Sequence, residues 1–490
     1  MQRIVLANWV NTFFVVAVVL RSAICFKVSF MADSRFAAIL FLSNIIYGGE
    51  LMLKVLKFGG SSLADANQFK KVAEIIKSEK ERRYIVASAP GKRHSNDIKI
   101  TDMLLDCFEH LYDEEYTDKS FSAIENRYRE IIRDLGLDYS LEEEFKNIRT
   151  AFVNHAGRDY FASRGEYLNA KILAKYLDYK FVDAGSCIFF NNDGSLDTEK
   201  TNITISKVLE KYEYAVIPGF YGSMPNGTIK TFSRGGSDIT GSLVARAVLA
   251  DIYENWTDVS GLLMVDPRLV ENPKTVSEIT YRELRELSYM GATVLHEEAI
   301  FPVRKAGIPI NIKNTNAPED KGTMIVSKAV TESSETVITG IAGLSGFTAI
   351  YIEKDMMNSE VGFTRRVLET LENHNICFEH LPSGIDTMSI VLRSDDIKDF
   401  KGNITADIVK KVNPDSITLL DNLALVAVVG RGMIRAAGTA AKIFKALADA
   451  NINIRMIDQG SSELNIIIGV EEKDYVAAIK AIYNKFVNEE

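Results

Sequence analysis

The sequence predicts an α/β protein: a three-layer α/β/α domain on a mostly parallel sheet over residues 52–330, then two small ferredoxin-like units over 335–412 and 413–490. Three observations predict this. Short apolar strands alternate with amphipathic helices in the first part. Two paired-glycine turns, Lys57-Phe58-Gly59-Gly60-Ser61-Ser62 and Ser233-Arg234-Gly235-Gly236-Ser237-Asp238, carry cationic and acidic residues around them. Beyond residue 334 a strand–helix–strand–strand plan occurs twice, as an internal repeat.

The first strand is the apolar run Leu53, Val55, Leu56, and Phe69, Val72, Ala73 and Ile76 mark the helix that follows. Residues 84–89 read as a buried strand ending at Pro90-Gly91, and 180–184 and 214–219 read likewise. Helices are expected over 168–177 and 241–249, with a strand over 252–256. The charged stretch 113–149 reads as a solvated helical insertion without chemistry. In the first repeat, strands are expected at 346–352, 376–382 and 387–392 with a helix at 361–373. The second has strands at 423–429, 452–457 and 464–470, a helix at 438–450 and a closing helix at 472–483. In mostly parallel sheets, ligands bind where the strands' carboxyl ends meet the following loops. The suggestive segments of the first part all sit at such ends.

At 490 residues, the chain is too long for one core. A net charge of −9, from 66 acidic and 57 basic residues, argues against a general nucleic-acid or anionic-membrane surface. Phosphate ligands stay open, because local charge meets them. The four cysteines are far apart and form no CxxC pair, so neither a zinc site nor a disulfide framework is expected, which fits a reducing cytoplasm. No metal held by the protein itself is expected. Residues 1–51 differ from the rest: apolar runs at 15–20 and 36–46, with Arg3 and Arg21 around the first. A signal peptide or anchor is one reading, but Asn8, Asn11 and Thr12 interrupt the run and no clean cleavage site follows. The favoured expectation is a leader preceding a true start at Met52, since Tyr47-Gly48-Gly49-Glu50 is compatible with a purine-rich ribosome-binding stretch.

Lys57 stands near the end of a buried strand, where a charge needs a partner; a phosphate beside Gly59-Gly60 would supply one. Ser163-Arg164-Gly165-Glu166 precedes an expected helix start near Tyr167, and Glu166 either complements the helix dipole or holds a substrate ammonium or carboxylate. Arg234 suits bidentate capture of a carboxylate or phosphate, and Asp238 suits positioning a metal or the lysine. Thr257-Asp258-Val259-Ser260-Gly261 and Val265-Asp266-Pro267-Arg268 read as a loop able to grip a nucleotide. Gly430-Arg431-Gly432 imitates a dinucleotide fingerprint, but Arg435 stands at its last glycine position, so no such site is assigned.

Together, Val55 to Ser62, Ser88-Ala89-Pro90-Gly91-Lys92, Ser163 to Glu166, Phe232 to Asp238, Thr257-Asp258-Val259 and Gly291-Ala292-Thr293-Val294-Leu295-His296 resemble the aspartate kinases of the amino acid kinase family. The two C-terminal repeats look like that family's paired ACT domains. The resemblance implies ATP-dependent phosphorylation of the side-chain carboxylate of L-aspartate, with Mg2+ accompanying the nucleotide. It implies phosphate contacts from Lys57, Gly59, Gly60 and Ser61, with Asp238 organising the lysine. Thr257, Asp258 and Arg268 would contact ATP, and Ser88, Thr101, Glu166, Arg234 and Ser237 would hold aspartate. It further implies feedback by lysine, threonine or both through Met357, Gly362, Phe363, Phe378 and Glu379, for which core packing is the competing reading. A homodimer or dimer of dimers, completion of the first ACT unit by chain from the C-terminus, and no fused homoserine dehydrogenase are likewise implied. Leu263 and Thr293 depart from the family's tyrosine and lysine, and the segment 91–100 is longer, so nucleotide contacts and the place of Thr101 are expected to differ. The alternatives are another amino acid kinase, with a glutamate-type substrate, and a non-catalytic ACT amino-acid sensor.

Overall fold

A computed structural model describes residues 52–488 apart from 234, 293, 294, 296 and 329–336. The expected leader and the expected roles of Arg234, Thr293 and His296 lie outside the described residues. An eight-stranded sheet forms the first part, in the order β3-β4-β2-β1-β7-β9-β10-β8. Its strands are β1 Lys54–Phe58, β2 Arg82–Ala87, β3 Lys180–Phe181, β4 Ala215–Pro218, β7 Ile252–Thr257, β8 Glu278–Thr280, β9 Ile310–Asn314 and β10 Thr323–Val326. A hairpin of β5 Tyr221–Ser223 and β6 Ile229–Thr231 stands beside it. Neighbours from β3 to β9 pair in parallel, and β10 turns antiparallel to β9.

Period-two alternation in β1 decides what faces what. Val55 enters the core cluster that contains Ile239, Leu243 and Tyr253, whereas Leu56 and Phe58 enter the opposite cluster with Phe69 and Trp256. Lys57 therefore shares the face of Val55, toward helix Gly236–Ala247. The register pairs Lys57 with Asn255 of β7. Helices Ala66–Lys77, Ile100–Glu109 and Arg158–Leu177 cover the other face, completing the three layers.

The stretch 113–149 is not a solvated insertion. Its helices Glu114–Asp134 and Glu142–Val153 bury Phe121, Ile124, Tyr128, Ile131, Phe145 and Ile148. A narrow apolar stripe among many charges suffices to dock a helix, and composition alone conceals it. Buried Arg127 also reaches out of it to donate to the carbonyls of Ile98, at 2.8 Å, and Gly91. The segment 91–98 is thereby clamped, with Asp97 3.3 Å from the same guanidinium. Hydrogen bonding to Arg93 holds the Asp97 carboxyl well below the usual carboxylate range.

The C-terminal part forms a five-stranded sheet in the order β12-β11-β13-β15-β14. Strands β11 Gly340–Glu353 and β13 Ser416–Val429 run antiparallel along their whole lengths, with register breaks between 345 and 349. Gly346 (φ 86°) and Asn422 (φ 58°) mark the bends. Residues 347–353 pair with β12 Thr387–Arg393, while 423–429 pair with β15 Asn465–Glu471, whose outer edge carries β14 Met456–Asp458. The first unit is thus contiguous over about 347–420, with helices Phe363–Asn373 and Lys401–Val412. The second joins 340–345 to 423–487, with helices Thr439–Asp449 and Tyr475–Val487. The segment 340–345 thus joins chain from the C-terminal side around the contiguous unit 347–420, and the expected division at 412/413 falls just before a shared strand. The expected strands at 346–352 and 423–429 begin at these bends, whereas 340–345 and 416–421, on the far side of each, were not expected as strands. The expected strand at 376–382 is present only as bridges at His380 and Ser383.

Candidate active site

Lys57 is 8% exposed, and its Nζ lies 2.7 Å from Asp238 Oδ1. Asn255 closes a triangle: its Oδ1 is 3.5 Å from Lys57 Nζ, and its Nδ2 donates to Asp238 Oδ1 at 3.0 Å. A buried lysine is tolerable with such partners, and this one stands at the carboxyl end of a central strand. Asn255 was not singled out from the sequence; the polar pair Glu254-Asn255 inside an expected buried strand was the available signal.

The first glycine turn interlocks with the turn after β2. Gly91 N donates to Gly60 O at 2.8 Å, and a Cβ added at Gly91 would come within 2.5 Å of Gly60 C. Only glycine permits that approach. Ser62 N and Leu63 N donate back to the carbonyls of Gly59 and Gly60, leaving the Gly60 and Ser61 amides with no acceptor among the described residues. Such donors at a strand–helix turn suit an anion. Ser62 Oγ is 2.8 Å from Thr315 Oγ1, and Thr315 N donates to Thr257 O at 2.9 Å. The turn, the end of β7 and the end of β9 thus form one edge, where Asp258 is exposed.

Glu166 does not open a helix. Helix Arg158–Leu177 starts two turns earlier, so the Ser163–Glu166 motif lies within it, and the dipole reading falls. Gly165 is there for contact: a Cβ would sit 2.8 Å from Ala89 Cβ. Asn169 Nδ2 donates to Ser88 O at 2.7 Å, pinning the same helix to the turn after β2. Arg164 is occupied by the rings of Tyr160 and Tyr167, 4.5 and 4.4 Å away. Glu166 is 6% exposed, and burial pushes its carboxyl up to about 8, against the Ala89 amide that favours the charged form. Its Oε2 is buried without a hydrogen-bond partner among the described residues. An orphaned carboxylate oxygen beside the Ala89 amide marks a place for a cationic or hydrogen-donating ligand group.

Thr101 lies in the first turn of helix Ile100–Glu109, whose Ile100 N donates to Pro90 O at 3.3 Å. Ser237 packs against Gly219, where a Cβ would come 2.5 Å from Ser237 Oγ. Arg268 is not joined to the Lys57 cluster by any described contact; it pairs with Asp266, 3.0 Å away, in an exposed loop. Leu263 is half-buried in the same loop and bridges to Thr275.

In the first C-terminal unit, Met357 and Phe363 are buried in a core with Val367 and Ile390, Gly362 caps helix Phe363–Asn373, and Phe378 is 44% exposed. Glu379 is held twice, by Arg393 Nε at 2.7 Å and Tyr289 Oη at 2.6 Å. Tyr289 ends helix Tyr281–Tyr289 of the first domain. That helix also grips the second unit: fully buried Glu283 accepts from Thr339 Oγ1 at 2.6 Å and Arg431 Nη1 at 3.0 Å, and Glu286 accepts from Asn465 Nδ2 at 2.6 Å. One helix therefore touches both regulatory units.

Comparison with known proteins agrees with this architecture. The amino acid kinase family model matches residues 52–314, and an ACT domain model matches 426–486. Aspartokinase 3 of Bacillus subtilis is 40% identical over 449 residues, covering 89% of this chain and 98% of that protein. The crystal structure of Clostridium acetobutylicum aspartate kinase superposes with a TM-score of 0.80 at 54% identity, covering 89% of this chain and all of that one (100%). E. coli aspartokinase III in complex with aspartate and ADP gives 0.66 at 25% identity, covering 88% of this chain and 99% of that one. Its complex with lysine and aspartate gives 0.65 at 25% identity, covering 89% and 99%. With this fold, these two glycine turns and relatives matched along nearly their full length, the chain belongs to the amino acid kinase family and, within it, to the aspartokinases.

Proposed function

We propose that Lys57, Asp238 and Glu166 are the working centre of an ATP-dependent aspartate kinase that makes 4-phospho-L-aspartate, and that lysine or threonine regulates it through the C-terminal units. The observation that carries the reading is the buried Lys57–Asp238–Asn255 triangle beside the glycine turn whose Gly60 and Ser61 amides are free among the described residues, with the unpartnered Glu166 oxygen across the turn after β2. The aspartate carboxylate is ionised at neutral pH, with an ordinary pKa of about 3.9, so the reaction needs no strong base. One of its oxygens attacks the γ-phosphorus while the bond to the bridging oxygen breaks and ADP leaves. Lys57 would neutralise charge on the transferring group, and Asp238 would hold the ammonium in line.

Gly59, Gly60 and Ser61 would take the phosphates, with Thr257 and Asp258 at the nucleotide edge. Arg268 would need to leave Asp266 to join them. Ser88, Thr101, Arg234 and Ser237 would seat aspartate, with Glu166 on its ammonium. Among the described residues no group of three or more acidic, histidine or cysteine side chains is arranged to hold a metal. Mg2+ would arrive on the nucleotide, where one or two carboxylates suffice. It would supply charge neutralisation on the phosphates. No described helix is long and apolar enough to cross a membrane. A cytoplasmic homodimer or dimer of dimers is part of the proposal.

The test is ADP release by the 52–490 protein with MgATP, comparing aspartate with glutamate and then adding lysine or threonine. Aspartate-dependent release suppressed by either amino acid supports both halves. Equal release with glutamate overturns the substrate, and effector binding without any release favours the sensor alternative.

For regulation, Met357, Gly362, Phe363, Phe378 and Glu379 would line the effector place. An effector ammonium there competes with Tyr289 for Glu379. Tyr289→Phe is then expected to lower the inhibitory concentration roughly fivefold, the worth of one hydrogen bond of about 1 kcal/mol, with uninhibited kcat unchanged. Glu379→Ala is expected to abolish inhibition. Inhibition curves that superimpose on wild type for both variants reject the site.

A further inference from the structure

A cleft of about 640 Å3 lies beside the aspartate side of the site. Its walls include Leu105, Ala162, Phe220 and Ser233, each adjoining a residue assigned above to aspartate. Leu105 is one helical turn beyond Thr101, and Ala162 is one turn before Glu166, so each pair shares a helix face. Ser233 precedes Arg234, and Phe220 follows the Gly219 that packs on Ser237. Through Thr101, Glu166 and Ser237, three chain segments thus lead from this cleft toward residues assigned to aspartate.

Two cations line it, Arg158 and Lys230. Neither has an ion-pair partner among the described residues. The carboxylate on the wall, Asp159, accepts from Thr231 Oγ1 at 2.8 Å. Arg158 occupies the first position of helix Arg158–Leu177, where the positive end of the helix dipole makes a cation unfavourable. Its charge therefore adds to the positive helix end instead of offsetting it. Lys230, on β6, lies over Gly194, where a Cβ would come 3.4 Å from its Nζ. Asp159, in the same first turn, offsets part of this, so the described lining carries two cations against one carboxylate, a net positive opening in a chain of net charge −9. Free aspartate carries two carboxylates and one ammonium and is an anion at neutral pH. An opening of net positive charge concentrates such a substrate and speeds its capture.

We propose that Arg158 and Lys230 form a cationic entrance that steers aspartate, carboxylates first, into the site without touching the phosphoryl transfer. The proposal rests on the assignment of Thr101, Glu166 and Arg234 to aspartate. It deepens that reading by naming the route and two steering residues outside the catalytic group.

The experiment is steady-state kinetics of the full chain with the double variant Arg158→Gln/Lys230→Gln, at about 0.05 M and about 0.5 M salt, where the screening length falls from roughly 14 to 4 Å. For wild type, kcat/KM for aspartate is expected to fall with salt. The double variant should be about tenfold lower than wild type at low salt and within about twofold at high salt, within the range seen for steered association. Its kcat and its KM for ATP should be unchanged. The reversal Arg158→Glu/Lys230→Glu should deepen the loss at low salt only. A Gln variant that matches wild type at low salt overturns the proposal. So does an equal loss at both salts, which would mark a packing role. Wild type without aspartate turnover would instead overturn the aspartate reading itself.

Discussion

Lys57→Ala is expected to lower kcat by about 10²–10³-fold, with KM for both substrates changed far less. The size follows from where the charge sits. Lys57 Nζ is buried, 2.7 Å from Asp238 Oδ1, in a setting that excludes water and so strengthens each electrostatic contact. Charge on the transferring phosphoryl group is the quantity that changes most along the reaction, and the remaining partners, Asp238 and Asn255, supply no cation. Lys57→Arg should not restore the rate. A guanidinium cannot replace a compact ammonium held between Asp238 and Asn255, close to the backbone of Gly59. The check is single-turnover ADP formation at saturating aspartate and MgATP, with near-ultraviolet circular dichroism confirming a native core. A wild-type rate in Lys57→Ala would remove the lysine from the chemistry.

How far the sequence revealed this arrangement depends on range. The strands β1, β2, β4 and β7 were legible because buried strands are short apolar runs, and the glycine turns because no other residue allows the Gly60–Gly91 approach. Lys57 and Asp238 stood out as charges beside those turns. Asn255 did not, since its role exists only through the parallel register that places it beside Lys57. The position of Glu166 within its helix was also hidden. Gly165 looks like a helix breaker locally, and its reason for being helical is the distant Ala89. The buried helices of 114–153 were masked by their charge, although Arg127 now fixes the segment before Thr101.

The same limit of range explains the regulatory part. Two repeats were visible as texture, but strands β11 and β13 each serve both units, and the segments 340–345 and 416–421 that extend them beyond the bends were not expected as strands. The consequence is mechanical. Units that share strands cannot shift independently, and helix Tyr281–Tyr289 is tied to the first by Tyr289 and to the second by Glu283 and Glu286. A ligand-induced movement in either unit must therefore be felt by that helix, which leads directly into the segment 291–296 of the kinase domain.

Glu166→Gln should raise KM for aspartate by about 10²-fold and remove a pH dependence that wild type shows. Taking a hydrogen-bonded charge partner from a buried ligand ammonium costs on the order of 3 kcal/mol, which sets the size. The pH dependence comes from burial, which raises the Glu166 carboxyl to about 8 in the free enzyme. Below that pH the free enzyme carries Glu166 mainly protonated, yet an ammonium-bound Glu166 must be ionised. Aspartate binding then releases a proton, and its affinity should weaken about tenfold per unit as pH falls from 8 toward 5. For the free protein the sign is opposite. A raised carboxyl stabilises the fold fully below its unfolded value of 4.5 and loses that contribution as pH rises to about 8, so stability falls across this window. Glu166→Gln stays neutral, and its melting temperature should exceed that of wild type most clearly at pH 8. Calorimetry of aspartate binding in two buffers of different ionisation heat measures the released proton directly. No proton release in wild type near pH 7, or unchanged aspartate KM in the glutamine variant, would move the ammonium to another group.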